Sequence, residues 1–567
     1  MLDVKLKALE GHASEGRVGK IHINPGDEVK VGDILMEIEA DKGNTSIKST
    51  LTGIVESLGV EEGSIVKLGA ILAKIDGVEE KKDNDKKGDF SYFGNLLKPQ
   101  KRELTTDLTV IGGGPGGYVA AIQAAKLGAN VVLIEKENLG GTCLNWGCIP
   151  TKCLVKSAEV FHQLKDAKSY GLSAENVGVD IKKVIERKNN IVGKLIGGIK
   201  YLMQKHDIKV LSGEGKIIDK ETVQVVEGNV ENTIKTQNII IATGSEVVKP
   251  PIKGIESKKV ITSNEALSIS ELPERMVIVG GGIIGMEFAF IFNSFGVDVT
   301  VVEYLGSILG VLDDDISEEI TKHAINSGIK VFTGTKVSEI IDSEDNKAIV
   351  VVDEGQQKKF ICADKVLMAV GRKPYHEGLG LENLQIEFVE NSSALKINDK
   401  LQTNIPNIYA IGDVTNKIQL AHVASHQGIV AVKNLLGQDT IMDYDVVPSA
   451  IFTNPEIAVS GICEKEAIEK GIEVNVGKFP FEANGKALTI NEGKGFIKLI
   501  EDKNTGKLIG GAIIGPNATD LIAEVTLAIK KGLVAKDIIE TIHAHPTTAE
   551  VVHEAALTFE GGAIHFA

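Results

Sequence analysis

At 567 residues the chain exceeds one ordinary domain, and three to five are expected. Hydrophobic residues make up 43%, enough for several buried cores, while a formal charge of −16 leaves no basic excess for non-specific nucleic-acid binding. Five cysteines are too few for a secreted disulfide framework, so a reducing compartment is expected.

The N-terminal "MLDVKLKALEGHASEGR" lacks the apolar centre of a signal peptide and is too acidic for a transit peptide. The longest apolar stretch, "MVIVGGGIIGM", is broken by glycines and stops at Glu287, too short to span a bilayer. The expectation is a cytoplasmic protein without membrane insertion.

Residues 1–76 read as a unit of their own. "PGDEVKVGDIL" (25–35) returns as "EGSIVKLGAIL" (62–72), with Gly26/Gly63, Val29/Val66, Gly32/Gly69 and Leu35/Leu72 in step. Apolar and polar residues alternate with period two around both copies, which indicates short half-buried strands. Two copies of one strand unit predict a flattened barrel with quasi-twofold symmetry. Between them, Asp41-Lys42-Gly43 separates two strand-like runs, where a hairpin turn would thrust Lys42 into solvent. Taken alone, Lys42 is one solvated lysine among many. The segment resembles the lipoyl domains of 2-oxoacid dehydrogenase complexes, and that resemblance implies lipoic acid in amide linkage on Lys42. Biotinyl domains share the architecture but present a Met-Lys-Met turn, absent here. The lipoyl family more often has alanine where this chain has Gly43.

Residues 77–104 mix charges without an apolar period and read as a flexible linker, with a charged exposed helix as the alternative.

"DLTVIGGGPGGYVAAIQAAKLGANVVLIEKE" begins with an apolar strand, passes through Gly112-x-Gly114-x-x-Gly117 into an Ala-rich helix, and ends in a strand closing at Glu135. Glycine permits the tight turn and close backbone approach to a pyrophosphate, the helix N-terminus offers free amides, and the acid binds a ribose hydroxyl. The arrangement recurs at Gly280-x-Gly282-x-x-Gly285 with Glu303, and 23 positions separate first glycine from acid in both copies. No Arg or Lys follows within "YLGSILG", so NAD is favoured over NADP in the second site. Two dinucleotide sites suggest FAD in one and NAD in the other. "NIYAIGDV" would bring Gly412 and Asp413 to a ligand. "IIIATGS", ending at Gly244, and "VLMAVGRKP", turning at Gly371, read as buried strands that return the chain between domains.

"GGTCLNWGCIPTK" places Cys143 and Cys148 just beyond the first βαβ strand, where open α/β sheets build ligand crevices. No further Cys or His lies nearby at zinc-ligand spacing, and no metal is expected. A structural disulfide is uncommon in a reducing compartment and chance packing of two cysteines is the bland alternative, while a redox-active disulfide beside a flavin is the reading that uses every neighbouring motif. Cys153 reads as buried packing on the same helix, and Cys362 and Cys463 as isolated core residues. Trp146, the one tryptophan, stands between the redox cysteines without a decided role.

From about residue 105 onward the chain resembles the pyridine nucleotide–disulfide oxidoreductases, and among them the dihydrolipoamide dehydrogenases. "IHAHPTTAEVVHEAAL" (542–557) carries the C-terminal part of the likeness. The resemblance implies that His545 is the acid–base, oriented by Glu550, with His543 supporting the loop. It makes Cys143 the interchange thiol and Cys148 the thiolate facing the flavin, with Lys152 and Glu287 paired near the flavin's reactive edge. It implies a homodimer with shared active sites, and as partners the lipoyl domains of dihydrolipoyl acyltransferase or similar carriers. The fold expected is an α/β two-dinucleotide-domain flavoprotein with an α+β dimerisation domain, preceded by the all-β lipoyl domain. Its parts are the lipoyl domain 1–76, linker 77–104, FAD-binding 105–246, NAD-binding 247–374, a second FAD-binding or central part 375–447, and interface 448–567. Alternatives are another disulfide reductase of the superfamily, or a lipoyl carrier or scaffold whose flavoprotein part is structural.

Overall fold

The computed structural model describes residues 2–6, 15–30, 33–40, 43–49, 52–67, 69–78, 100–355 and 357–566. The chain divides into two compact units, Met1–Leu97 and Lys98–Ala567.

Among the described residues of the first unit, eight strands form two four-stranded sheets, ordered β1-β8-β6-β3 and β5-β4-β2-β7. They are β1 (Leu2–Lys5), β2 (Glu15–Ile21), β3 (Glu28–Val29), β4 (Ile34–Ala40), β5 (Gly43–Lys48), β6 (Thr52–Leu58), β7 (Ile65–Lys67) and β8 (Ile71–Val78). The sequence repeat becomes the symmetry of this fold. β3 and β7, one from each copy, are edge strands of opposite sheets. The amide of Gly26 donates to the Val55 carbonyl at 2.7 Å, and that of Gly63 to Val18 at 2.7 Å. Val55 and Ile75 from one sheet pack with Leu35 from the other, so alternation along each strand fills one sandwich core. β8 runs to Val78, two residues past the expected boundary. β4 and β5 pair up to Ala40 and Gly43. Lys42, the expected lipoylation site, lies outside the described residues.

The second unit opens with β9 (Gln100–Ile111), α1 (Pro115–Lys126), β10 (Val131–Glu135) and, after a connection that holds the short helix Gly141–Asn145, α2 (Cys148–Lys165). β11 (Lys209–Ser212), β12 (Gly215–Asp219), β13 (Thr222–Glu227) and β14 (Val230–Ile241) complete a sheet ordered β11-β10-β9-β14-β13-β12, with Ile408–Ala410 added beside β14. One expectation is corrected here. Residues 100–104, read as linker, are strand, paired with β14 from Gln100↔Val230 to Leu104↔Ile234. Pairing is made by the backbone, and side chains 100–103 face solvent, so no apolar period marks the extension.

A second parallel sheet is ordered Val260–Thr262, Lys365–Met368, Arg275–Val279, Asp298–Val302, Lys330–Phe332. It carries α3 (Ile283–Ser294), whose residues 285–292 are all buried, and α4 (Asp314–Asn326). The two crossings between sheets meet, Ser245–Val247 pairing antiparallel with Arg372–Pro374. The C-terminal part is a five-stranded antiparallel sheet, Ser449–Ile451, Glu456–Gly461, Leu508–Gly515, Phe496–Asp502, Val474–Pro480. Helices Ala518–Lys531 and Glu550–Leu557 cover it through Ile522, Val525, Val551 and Ala555. This is the expected α/β flavoprotein architecture with an α+β C-terminal domain. Among the described residues no helix is long and apolar enough to cross a membrane.

Candidate active site

The glycines of the two motifs divide their work in the same way. Gly112 and Gly280 both sit at φ +108, where an added Cβ would meet the carbonyls of Ala242 at 2.3 Å and Ala369 at 2.5 Å. At Gly117 and Gly285 a Cβ would lie 1.8 Å and 2.0 Å from the carbonyls of Gly112 and Gly280, so these positions let helix press on strand. The middle glycines differ. Nothing lies within 4 Å of a Cβ on Gly282, and only Gly141 Cα, at 3.8 Å, is near one on Gly114. These two cap α3 and α1 and leave open the space over the helix amides, which a pyrophosphate would need.

The acids are braced identically. Glu135 accepts from the Gly113 amide at 2.7 Å and the Glu137 amide at 2.8 Å. Glu303 accepts from Gly281 at 2.5 Å and Leu305 at 2.7 Å. Burial pushes the Glu135 carboxyl up, partly offset by those two amides. Both cradles open into one cleft of about 1910 Å³, and Gly244, Gly371, Gly412 and Asp413 are among its lining residues.

The cysteines reach this cleft because Gly140 and Gly141 turn the chain back at φ +97 and +53. A Cβ on Gly141 would stand 2.6 Å from Gly114 Cα, so glycine lets the turn lie against the first cradle. Cys143, Trp146 and Cys148 all line the cleft, and both cysteines are free thiols, Cys143 half-buried and Cys148 exposed. They perturb each other strongly. Cys143 is pushed up by sharing its proton with Cys148 and by burial. Cys148 is lowered to about 7 by the hydrogen bond from Cys143 and helped by the Lys152 ammonium, against the partial desolvation of a sulfur set in the cleft wall with only its outer side exposed. Cys148 is also the first residue of α2, where the helix dipole favours a thiolate.

Lys152 bridges to both Glu287 oxygens at 3.0 and 3.1 Å, and Glu287 also accepts from the Phe452 amide at 3.0 Å. The Glu287 side chain is only 7% exposed. Held by three hydrogen bonds from two groups, Glu287 makes a fixed ion pair with Lys152 rather than two helix-end charges, and the Lys152 Nζ lies 4.2 Å over the Phe452 ring.

Sequence reasoning missed a polar bridge across the cleft. Asp413 accepts from the Ser245 hydroxyl at 2.5 Å, and Arg372 donates to Ser245 Oγ at 2.8 Å, to its carbonyl at 2.6 Å and to Thr142 Oγ1 at 3.3 Å. Burial lowers the Arg372 guanidinium, opposed by Asp413. Arg372 directly follows Gly371, and that adjacency was the one available signal. Gln427, fully buried, accepts from the Gly412 amide at 2.6 Å, which nothing in a helix-internal glutamine announces.

His545 Nδ1 lies 2.8 Å from Glu550, whose other oxygen accepts from the Thr547 amide at 2.9 Å. Burial pushes Glu550 up, but that amide and His545 hold it below the usual carboxylate range. The imidazole is 78% exposed, and neither residue lines the cleft of its own chain. His543 is pinned by the Thr541 carbonyl at 2.9 Å and Glu524 at 2.8 Å, a loop support as expected. Cys153 is buried as expected, but Cys362 and Cys463 are only half-buried. Cys362 is the penultimate residue of strand Gln357–Ala363 and Cys463 caps helix Glu464–Glu469, both near an element's end, so neither is a core residue.

This cleft, with two dinucleotide cradles and a thiol pair, has counterparts among known proteins. The family described as pyridine nucleotide-disulphide oxidoreductase matches residues 106–428, and its dimerisation domain matches 447–556. The chain belongs to the pyridine nucleotide-disulphide oxidoreductases. Residues 9–75 match a family described as biotin-requiring enzyme. Within the class, the similarity points to one activity. The chain is 41% identical over 462 residues to a dihydrolipoyl dehydrogenase of Geobacillus stearothermophilus, covering 82% of this chain and 98% of the relative. It is likewise 41% identical to a mitochondrial dihydrolipoyl dehydrogenase of Schizosaccharomyces pombe, covering 81% of this chain and 91% of that one. Among solved structures, the HOCl-induced flavoprotein disulfide reductase RclA from Escherichia coli, as its Cu(II) complex, superposes with a TM-score of 0.72 at 29% identity. That match covers 80% of this chain and 99% of RclA.

Proposed function

We propose that the chain reoxidises protein-bound dihydrolipoyl groups with NAD⁺ as acceptor, as a component of 2-oxoacid dehydrogenase-type complexes. One observation carries the reading. A thiol pair, with one member held towards thiolate, shares a cleft with two acid-braced glycine cradles. The first cradle, with Glu135, Gly244, Gly412 and Asp413, fits FAD, and the second, with Glu303 and Gly371, fits NAD⁺. The Glu303 carboxylate would repel a 2′-phosphate, which disfavours NADP⁺. FAD supplies a two-electron acceptor within the cleft, and NAD⁺ carries the electrons away as hydride.

The residues of the chain run the sulfur chemistry. His545, supplied by a second copy, accepts the proton of one substrate thiol, and Glu550 steadies the resulting imidazolium. The cycle starts from the oxidised form, with Cys143 and Cys148 joined: the thiolate attacks Cys143 Sγ, breaking the Cys143–Cys148 disulfide and forming a mixed disulfide. Cys148 departs as thiolate, which its lowered pKa and Lys152 favour. The second substrate thiol then displaces Cys143, its proton passing to the departing Cys143 sulfur, which closes the substrate disulfide and leaves both cysteines reduced. The shared-site homodimer is supported by the exposure of His545 away from its own cleft and by the dimerisation-domain match. Lys42 would carry lipoic acid, and lipoyl domains of dihydrolipoyl acyltransferase or similar carriers would be the partners.

The test is steady-state turnover with dihydrolipoamide and NAD⁺, with NADP⁺ and glutathione as controls. Turnover confined to dihydrolipoamide and NAD⁺ is expected. Glutathione turnover without dihydrolipoamide turnover would overturn the reading.

A further inference from the structure

Away from the thiols, one buried knot of charge ties the second cradle to the C-terminal domain. Lys498, on strand Phe496–Asp502, is 0% exposed, and its Nζ lies 2.7 Å from Asp313, 2.9 Å from Asp315 and 2.7 Å from Glu464. Lys478 adds a second bridge to Asp315 at 2.6 Å. The Glu464 amide donates to Asp313 at 3.3 Å, and Lys465 reaches the Leu312 carbonyl at 3.4 Å and Asp314 at 2.5 Å. Burial alone would drive Lys498 towards neutrality, and the carboxylates more than offset it. Three acids around one ammonium form a site already filled by the lysine. Its role must therefore lie in the backbone it anchors.

That backbone is the segment just before Asp313, whose Tyr304, Leu305, Leu309 and Val311 line the cleft beside Glu303. Leu309 is buried yet has φ +48, a conformation that L side chains adopt at a cost. Its amide donates to the Gly281 carbonyl at 2.9 Å, and its carbonyl accepts from Ser317 at 3.1 Å. The first cradle makes the same contact without strain, since Gly140 at φ +97 donates to the Gly113 carbonyl at 2.8 Å. Where one copy uses glycine, the other uses a strained leucine with an anchor four residues on.

We propose that Lys498 is a positioning residue for the nicotinamide nucleotide: through Asp313 and Asp315 it keeps Leu309 against Gly281, so the wall of the second cradle is preformed. This rests on the functional reading above only in assigning that cradle to NAD. The full-length, flavin-loaded protein tests it in three measurements on Lys498→Met. NADH affinity by calorimetry should fall about tenfold, the scale of one released strained residue. Amide exchange should quicken in 305–312 and stay unchanged in 112–117 and 140–147. Flavin reduction by dihydrolipoamide should stay within about twofold, as expected of a local coupling. Unchanged NADH affinity in folded Lys498→Met, or equal losses in all three measurements, would overturn the proposal. If that variant fails to retain flavin, Asp315→Asn, at the more open side of the knot, carries the test. A loss of about threefold in NADH affinity supports the proposal, and none overturns it. If dihydrolipoamide fails to reduce even the parent protein, the functional reading fails while the NADH comparison still stands.

Discussion

The two βαβ units offer a comparison within one chain. Gly112 and Gly280 share a φ, Gly117 and Gly285 press on the carbonyls of those two glycines in turn, and Glu135 and Glu303 take amides from matching positions. Beyond the acids the two copies part. After Glu135 the chain turns through Gly140-Gly141 and delivers Cys143 and Cys148 to the cleft, while after Glu303 it lays Tyr304–Val311 along it and is anchored at Asp313. The glycine motif thus sets how a dinucleotide is held and says nothing of the chemistry. The next dozen residues decide that. A holding module was used twice, once with sulfur beside it and once without.

The comparison can be broken most severely at the sulfurs. Cys143→Ser and Cys148→Ser should each abolish dihydrolipoamide turnover while flavin content, measured by absorbance, stays at the parental level, because neither thiol braces the cradle. His545→Gln should lower turnover by about 10² to 10⁴, the usual worth of a positioned acid–base. Mixing His545→Gln and Cys143→Ser subunits should restore one competent site per heterodimer if the site is shared.

Smaller effects separate the glycine roles. Gly285→Ala places a methyl 2.0 Å from the Gly280 carbonyl and should lower stability by about 1–3 kcal/mol, read by thermal melting. Gly282→Ala meets no protein atom, so the melting temperature should hold while KM for NAD⁺ rises severalfold. Gly114→Ala should instead weaken flavin retention. The smallest effect is a pH shift. Cys148, lowered to about 7, is ionised above that value, so thiolate absorbance of the reduced protein should grow as pH rises through about 7. Lys152→Met removes a cation that favours the thiolate and leaves Glu287 unpaired beside it, so the midpoint should move up.

Much of this was legible because the signals are local. A glycine turn, its helix and its acid lie within one segment, and so do the two cysteines, so spacing along the chain sets spacing in space. The front repeat was legible for the same reason, since matched turns imposed matched strands. Features joining distant segments were not. Lys152 meets Glu287 across 135 positions, and only resemblance suggested the pair. The Arg372–Ser245–Asp413 bridge joins residues that each sit beside a motif glycine, but nothing along the chain says that they meet, and the Lys498 knot joins residues whose neighbours carry no pattern. Residues 100–104 escaped notice because backbone pairing needs no apolar side chain.

The most direct test is an anaerobic addition of dihydrolipoamide to the purified, flavin-loaded protein, followed by NAD⁺, with the flavin spectrum recorded throughout. The account predicts that the dithiol perturbs the flavin band, that NAD⁺ restores it with appearance of NADH, and that Cys143→Ser shows neither change. A parent protein whose flavin ignores the dithiol, or a Cys143→Ser protein that responds equally, would contradict it.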